Sequence, residues 1–159
     1  YFDEENRRHL NSLRLNFAQI AQSLVAEGKK DSARQILRKL DTEISSKNLP
    51  YGMSSNRGNQ HNYFSYLFMQ AAYAAEDKEL AKRVGASVVK DLTQQLAYYK
   101  SLGTPMSEEQ FMQNAENAYQ NKPTEFNNKQ GSFIQDILTC YQLISIIQNL
   151  EKGTPVTQP

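Results

Sequence analysis

The chain has 159 residues, of which 39% are hydrophobic and 22% are charged, and its formal net charge is +1. This balance is ordinary for a single folded domain with its own core and excludes a disordered chain. Positive charge forms no stripe along the sequence, so nucleic acid is not an expected partner. No apolar run is long enough to cross a membrane.

Residues 3–46 predict a helical hairpin, with helices over 3–27 and 30–46. Apolar side chains recur at steps of three and four, which is typical of one helix face. Gly28 can adopt the left-handed conformation that ends a helix, and Asp31 suits the start of the next one. The predicted inner face consists of Leu10, Leu13, Phe17, Ile20, Ala21, Leu24, Ala33, Ile36, Leu37, Leu40 and Ile44.

A loop over residues 47–60 and a second hairpin over residues 60–101 are predicted next. The loop contains Pro50 and several glycines and asparagines, which favour turns. Gly85 lies inside a predicted helix, where a close crossing by another helix would explain it. The predicted inner face of this hairpin consists of Phe64, Leu67, Phe68, Ala71, Ala72, Ala75, Leu80, Ala81, Val84, Val88, Leu92, Leu96 and Tyr99.

Two terminal helices are predicted over residues 107–120 and 130–152. Ser107 and Gln110 have the spacing of a capping box at the start of the first. The second is the most apolar helix and contains Cys140, the one cysteine, which we expect to be buried and unreactive. Together these elements predict one helical domain over residues 1–152, followed by a frayed tail over 153–159.

The two hairpins repeat each other with a shift of 48 residues, which relates Ala33 to Ala81. A tetratricopeptide repeat has about 34 residues, and the excess of about 14 matches the loop between the hairpins. The pattern resembles the tetratricopeptide family. We therefore expect an all-α fold of five to six helices, built from antiparallel hairpins of this type.

Several segments together resemble the C-terminal extramembrane region of a large family of bacterial multi-pass membrane proteins of uncharacterised function. They are YFD at 1–3, LRLNFA at 13–18, EGKKDSA at 27–33, PYGM at 50–53, RGNQHN at 57–62, KDL at 90–92, QQL at 94–96 and YY at 98–99. The membrane part of that family is similar to glycosyltransferases of the protein O-mannosyltransferase type, which use lipid-linked sugars. The resemblance implies that this chain is an excised extramembrane piece, on the periplasmic rather than the cytoplasmic side. It also implies that the chemistry lies in the membrane part.

The loop supplies the best candidates for a binding site. Arg57, Asn59, His61 and Asn62 concentrate guanidinium, amide and imidazole groups, which suit a carboxylate, a phosphate or sugar hydroxyls. Tyr51, in the same loop, is a fifth candidate. The alternative interpretation is that these side chains cap the third helix and tie the loop to the hairpins.

A second candidate surface is aromatic. Tetratricopeptide-like hairpins commonly bind peptides on their concave side, and tyrosines placed there would suit that role. Tyrosines also serve as ordinary residues at the edge of a core. The tyrosines concerned are Tyr63, Tyr66, Tyr73, Tyr98, Tyr99 and Tyr119.

We therefore expect a non-catalytic interaction or scaffolding domain that uses no cofactor and no metal. Its histidines, His9 and His61, lack the spacing of a zinc site, and no phosphate-binding loop or nucleophile elbow is present. The expected partner is a protein, a peptide or the membrane part of the same protein. One alternative is an accessory domain that contacts acceptor or sugar through residues 57–62. Another is a purely structural cap.

Overall fold

A computed structural model describes residues 3–54 and 58–153 of the chain. The regular structure of these residues consists of seven α-helices, which confirms the all-α prediction. They are α1 (Glu4–Ala26), α2 (Lys30–Glu43), α3 (Gln60–Ala74), α4 (Lys78–Ser101), α5 (Glu108–Tyr119), α6 (Asn128–Ser132) and α7 (Ile134–Glu151). None of these helices combines the length and the hydropathy that crossing a bilayer requires.

The helix predicted for residues 130–152 is instead two helices, α6 and α7, which meet at Phe133. Asn127 and Gln130 form a capping box that begins α6. Gln130 is buried, and its side-chain amide lies 3.4 Å from the carbonyl oxygen of Tyr99 near the end of α4. The contact with α4 is a tertiary feature, which the apolar pattern of the segment does not reveal, whereas the cap is local and the spacing of Asn127 and Gln130 could have indicated it.

The two hairpins use the same turn to end their first helices. Gly28 has φ +78° and Glu76, 48 residues later, has φ +62°. In both turns the amide of the next residue donates to the carbonyl five residues before it, which is the outer hydrogen bond of a Schellman motif. The shift inferred from Ala33 and Ala81, both fully buried, therefore also relates the backbones of the two turns.

The core is centred on α3, which packs against α1, α4 and α7. Gly85 of α4 crosses α3 closely, because a Cβ there would lie 2.9 Å from Met69 Cε. The close crossing predicted at Gly85 is thus confirmed. The inner faces predicted for α2 and α4 are also buried, except that Ile36 and Tyr99 are only partly buried against the core. The fully buried apolar residues include Leu37, Phe68, Met69, Leu80, Val84, Val88, Leu92, Phe111, Ile137 and Ile147.

The inner face predicted for α1 is only partly correct, because the helix is rotated about its axis so that Ala21 is buried as predicted but Leu13 and Ile20 are not. The buried side chains of α1 are Asn11, Arg14, Ala18 and Ala21. Leu13 is 38% exposed and Ile20 is 50% exposed. Two causes act together: Arg14 turns inward to the loop, and the small alanines face the core, where they allow close packing of neighbouring helices.

This rotation leaves an apolar strip on the surface of α1. Three of its residues are partly buried against the core and two are exposed. We call it the α1 stripe, and it consists of Leu10, Leu13, Phe17, Ile20 and Leu24.

Candidate functional site

Four of the five predicted site residues lie close to one another, and all four are buried. They are Tyr51, Asn59, His61 and Asn62. Arg57, the fifth, lies outside the described residues, as does most of the predicted tail.

Arg14 of α1 reaches into the loop between the hairpins. Its Nη2 donates to the carbonyl of Leu49 at 2.5 Å and its Nη1 donates to that of Pro50 at 3.2 Å. The guanidinium carbon lies 4.1 Å from the centre of the Tyr51 ring. Burial lowers the pKa of Arg14, while the negative charge of Asp41 opposes that effect. Arg14 was not predicted from the sequence, where its only signal is a charge next to the apolar face of α1.

Tyr51 is held from three sides. Its hydroxyl donates to Asp41 Oδ1 at 2.8 Å, and its carbonyl accepts from Ser65 Oγ at 2.7 Å. Its ring centre lies 5.5 Å from that of Phe68. Burial raises the pKa of Tyr51, so the hydroxyl remains a hydrogen-bond donor at neutral pH. These contacts fix the loop to α2 and α3.

His61 points to the same stretch of loop. Its Nε2 lies 2.8 Å from the carbonyl oxygen of Pro50, and since a carbonyl can only accept, Nε2 carries the proton. Burial lowers the pKa of His61, although the hydrogen bond to Pro50 opposes that effect. The imidazole is therefore neutral and is used within the fold.

The two asparagines belong to a polar network between the loop and α4. Asn62 Nδ2 donates to Asn59 Oδ1 and to Asp91 Oδ2, both at 2.8 Å. Gln95 Nε2 donates to the same two oxygens, at 2.8 and 2.7 Å. Cys140 lies at the edge of this network, buried as predicted, and burial raises its pKa to about 12. Its thiol is therefore protonated and is not a nucleophile at neutral pH.

A shallow polar depression remains beside the loop, with a volume of about 220 Å³. Gly52 forms one wall: its amide donates to Ser87 Oγ at 2.9 Å, and a Cβ there would lie 2.0 Å from the Ser87 carbonyl oxygen. The depression is open to solvent and offers side chains that can hydrogen-bond. It is lined by Pro50, Gly52, Ser87, Lys90, Asp91 and Gln94.

The six tyrosines named above are not equivalent. Tyr63, Tyr98 and Tyr119 are exposed, whereas Tyr66 is buried. Within residues 3–54 and 58–153, no three histidine, cysteine, aspartate or glutamate side chains cluster as metal ligands would.

Comparison of the chain with protein-family models, with curated proteins and with solved structures finds no match.

Proposed function

We propose that this chain is a non-catalytic interaction domain of tetratricopeptide-like hairpins, which docks through the α1 stripe. We further propose that it is the extramembrane part of a bacterial membrane protein of the glycosyltransferase-like family described above. The observation that carries the docking proposal is the exposure of Leu13 and Ile20 on a helix whose neighbouring face packs against α2 and α3.

The α1 stripe has the chemistry of a helix-binding surface. Its five residues follow steps of three and four, the spacing of a coiled-coil seam, which suits a helical partner. Between Arg14 and Glu27 no residue of the chain is charged, so docking there would desolvate no ionised group of that stretch. Fully burying an exposed leucine or isoleucine contributes about 1.5–3 kcal/mol, and Leu13 and Ile20, which are 38% and 50% exposed, would contribute up to about half of that each.

The loop supports this assignment by what its side chains already do. The described candidates Tyr51, His61 and Asn62 make hydrogen bonds inside the fold. A ligand that used them would have to replace those bonds, which costs free energy when the groups are buried. The loop therefore serves to hold the hairpins together, and recognition falls to the helix surface.

Photo-crosslinking in cells tests the docking proposal. A benzophenone amino acid replaces Ile20 in one variant and Met112 in another, since Met112 of α5 is also an exposed apolar residue, with an exposed fraction of 40%. We expect a protein adduct at position 20 and none at position 112, identified by mass spectrometry. The absence of an adduct at position 20, or equal adducts at both, would contradict the proposal.

The proposed membrane context has a separate test. We expect the gene to encode, upstream of Tyr1, several hydrophobic segments of about 20 residues each. A gene without such segments would remove the membrane part of the proposal and leave the docking surface untouched.

A second candidate function uses the depression beside the loop. Exposed Lys90 and Gln94 face it together with Ser87, and such groups suit sugar hydroxyls or an acceptor carboxylate. In this alternative, the domain grips acceptor or sugar for the parent enzyme. Titration with soluble oligosaccharides separates this alternative from docking through the α1 stripe. Oligosaccharide binding that weakens about tenfold in a Lys90→Ala/Gln94→Ala variant would favour a binding site in the depression. If neither oligosaccharide binding nor a crosslink at position 20 is found, a structural cap is favoured.

A further inference from the structure

We infer that the depression beside the loop binds an α-ammonium group with a carbonyl next to it, as in a free amino acid or at the N-terminus of a peptide. This inference goes beyond docking through the α1 stripe, because it concerns a different surface. It also gives the depression a ligand other than the sugar or acceptor carboxylate of the second candidate function.

One face of α4 and the loop form the two walls of the depression. The loop wall is fixed, because the amide of Gly52 donates to Ser87 Oγ and the carbonyl of Pro50 accepts from Arg14 and His61. The α4 wall consists of four residues that lie on one helix face, at steps of three and four along the chain. They are Ser87, Lys90, Asp91 and Gln94.

Asp91 is the member of the α4 wall that the fold holds in place. Its Oδ2 accepts from Asn62 Nδ2 at 2.8 Å and from Gln95 Nε2 at 2.7 Å. Asn62 is itself held, because its Oδ1 accepts from the amide of Met53 at 3.0 Å. These hydrogen bonds fix the orientation of the carboxylate, which reduces the entropy lost when a ligand binds to it.

The charge of Asp91 is not neutralised within the described parts of the chain. None of their lysines, arginines or histidines forms an ion pair with it, and both of its hydrogen-bond donors are neutral amides. Its Oδ1 accepts from no group of these residues and is not one of the buried atoms without a partner. A cationic group in the depression would therefore supply both the missing charge and a donor to Oδ1.

An ammonium group suits this carboxylate better than a guanidinium group does. Each oxygen of a carboxylate has two lone pairs, and the two amides use those of Asp91 Oδ2. A planar guanidinium pairs best with both oxygens at once, whereas a compact ammonium needs only one. The single oxygen that remains therefore favours an ammonium.

The neighbouring side chains favour an α-ammonium group in particular. In an amino acid or a peptide, an oxygen that accepts hydrogen bonds lies close to the α-ammonium, and exposed Lys90 and Gln94 carry donors for it. A lysine side chain would instead bring a long apolar stem, and Pro50 is the one apolar side chain among the described residues that line the depression. A sugar ring would find no aromatic side chain among them to lie against.

NMR titration of purified residues 1–159, followed through backbone amide signals, tests the inference. Triglycine is the probe, and N-acetyltriglycine is its control because it lacks the ammonium group. We expect triglycine to shift the signals of Gly52 and Ser87 with a Kd of about 1 mM, since the depression is open to solvent, and N-acetyltriglycine to leave them unchanged. Equal shifts with both peptides, or no shift with triglycine at about 10 mM, would overturn the inference.

Glycine distinguishes the two sources of the ammonium group. Glycine that binds as tightly as triglycine would support a free amino acid as the ligand. Glycine that binds at least about tenfold more weakly would support the N-terminus of a peptide.

Three variants test the role of Asp91. Asp91→Asn is expected to weaken triglycine binding at least about tenfold, and Lys90→Ala about threefold. Glu116→Gln, the matched change at an exposed carboxylate of α5, should leave the affinity unchanged. Unchanged affinity in Asp91→Asn would contradict the inference. Circular dichroism checks that each variant keeps its helices, and if Asp91→Asn does not fold, the two peptides on the wild-type chain decide.

The outcomes also separate this inference from the functions proposed above. Oligosaccharides that shift the signals of Gly52 and Ser87 where triglycine does not would overturn the ammonium site and favour the sugar alternative. A crosslink at position 20 is independent of either result, because Ile20 does not line the depression.

Discussion

Arg14 illustrates how one buried charge can organise a loop. A buried guanidinium destabilises a fold unless its donors are hydrogen-bonded. Here two donors reach the carbonyls of Leu49 and Pro50, and the ring of Tyr51 covers the guanidinium. The carbonyls of an irregular segment also need donors, so these two contacts serve the loop as well as the guanidinium, whose buried Nε has no hydrogen-bond partner among the described residues.

Replacing this side chain should destabilise the whole domain. We expect Arg14→Ala to lower the free energy of unfolding by about 3 kcal/mol, because the buried carbonyl of Leu49 loses its donor, that of Pro50 keeps only His61, and the ring of Tyr51 loses its cation. Urea denaturation measures the change. Arg8→Ala, on the exposed side of the same helix, should change stability by less than about 0.5 kcal/mol. Equal effects of the two substitutions would contradict the anchoring role of Arg14.

His61 should make stability depend on pH below neutrality. Its pKa in the folded state is below the ordinary value of 6.5, mainly because it is buried. Between those two values the unfolded state binds more protons, so stability falls as pH decreases through that window. From pH 7.5 to 5.5 the loss is at most about 1.4 kcal/mol.

Unfolding by urea at several pH values measures this loss. A His61→Gln variant should lack the pH dependence, although it is less stable throughout. His9→Gln, at an exposed position of α1, should retain it. A pH dependence that survives in the His61 variant would show that other groups cause it.

At the scale of the elements, the turn between paired helices is the repeated feature. The same hydrogen bonds close the turns at Gly28 and Glu76, although only one of these residues is glycine. A residue with a Cβ is strained at positive φ, so Glu76 is expected to cost stability that Gly28 does not.

Two substitutions at one position isolate that strain. Glu76→Gly and Glu76→Ala both remove the exposed ion pair with Lys30. We expect the glycine variant to be more stable than the alanine variant by about 1 kcal/mol, the reverse of the usual helix preference. Gly28→Ala should destabilise the domain by a similar amount, about 1 kcal/mol. Thermal denaturation compares all three, and an alanine variant as stable as the glycine variant would contradict the argument.

At the scale of the molecule, two bidentate arginine–aspartate ion pairs join the hairpins. Arg38 of α2 donates to both carboxylate oxygens of Asp77, at 2.5 and 2.6 Å. Arg83 of α4 donates to both oxygens of Asp41, at 3.0 and 2.6 Å. Each hairpin thus supplies one arginine and one aspartate to the contact. The hydrogen bond from Arg38 lowers the pKa of Asp77.

Asp77 should therefore contribute stability that disappears in acid. A carboxyl group with a lowered pKa stabilises the fold above its ordinary value of 3.8, and this stability is lost as pH falls through the folded value. Asp77→Asn keeps the helix cap to Leu80 but not the ionic bond. We expect Asp77→Asn to lower the free energy of unfolding by about 1 kcal/mol at pH 7. The difference in stability from the wild type should shrink below about pH 4.

Acid titration of both proteins, followed by circular dichroism, measures that difference. Asp31→Asn is the matched control, because Asp31 forms its ion pair with Arg34 on the open surface. It should change stability by less than about 0.5 kcal/mol. A constant difference between wild type and Asp77→Asn from pH 7 to pH 2.5 would exclude the ionic contribution.

The sequence by itself determined the helices and most of their ends, but not the break at Phe133 that divides the last predicted helix into α6 and α7. Apolar periodicity predicts which segments are helical, and local signals such as Gly28, the capping box of Ser107 and the break at Pro50 act within a few residues. The buried faces of α2 and α4 were also predictable, because the apolar side chains of each of these helices lie mainly on a single face.

The tertiary structure alone decided which face of α1 is buried and what the loop residues do. Arg14 is drawn inward by carbonyls 35 and 36 residues away, and no local pattern contains that contact. The candidates Asn59 and Asn62 likewise find their partners on α4, through Asp91 and Gln95. Periodicity measures how apolar a face is, whereas the choice between faces depends on which polar groups a distant segment brings to meet it.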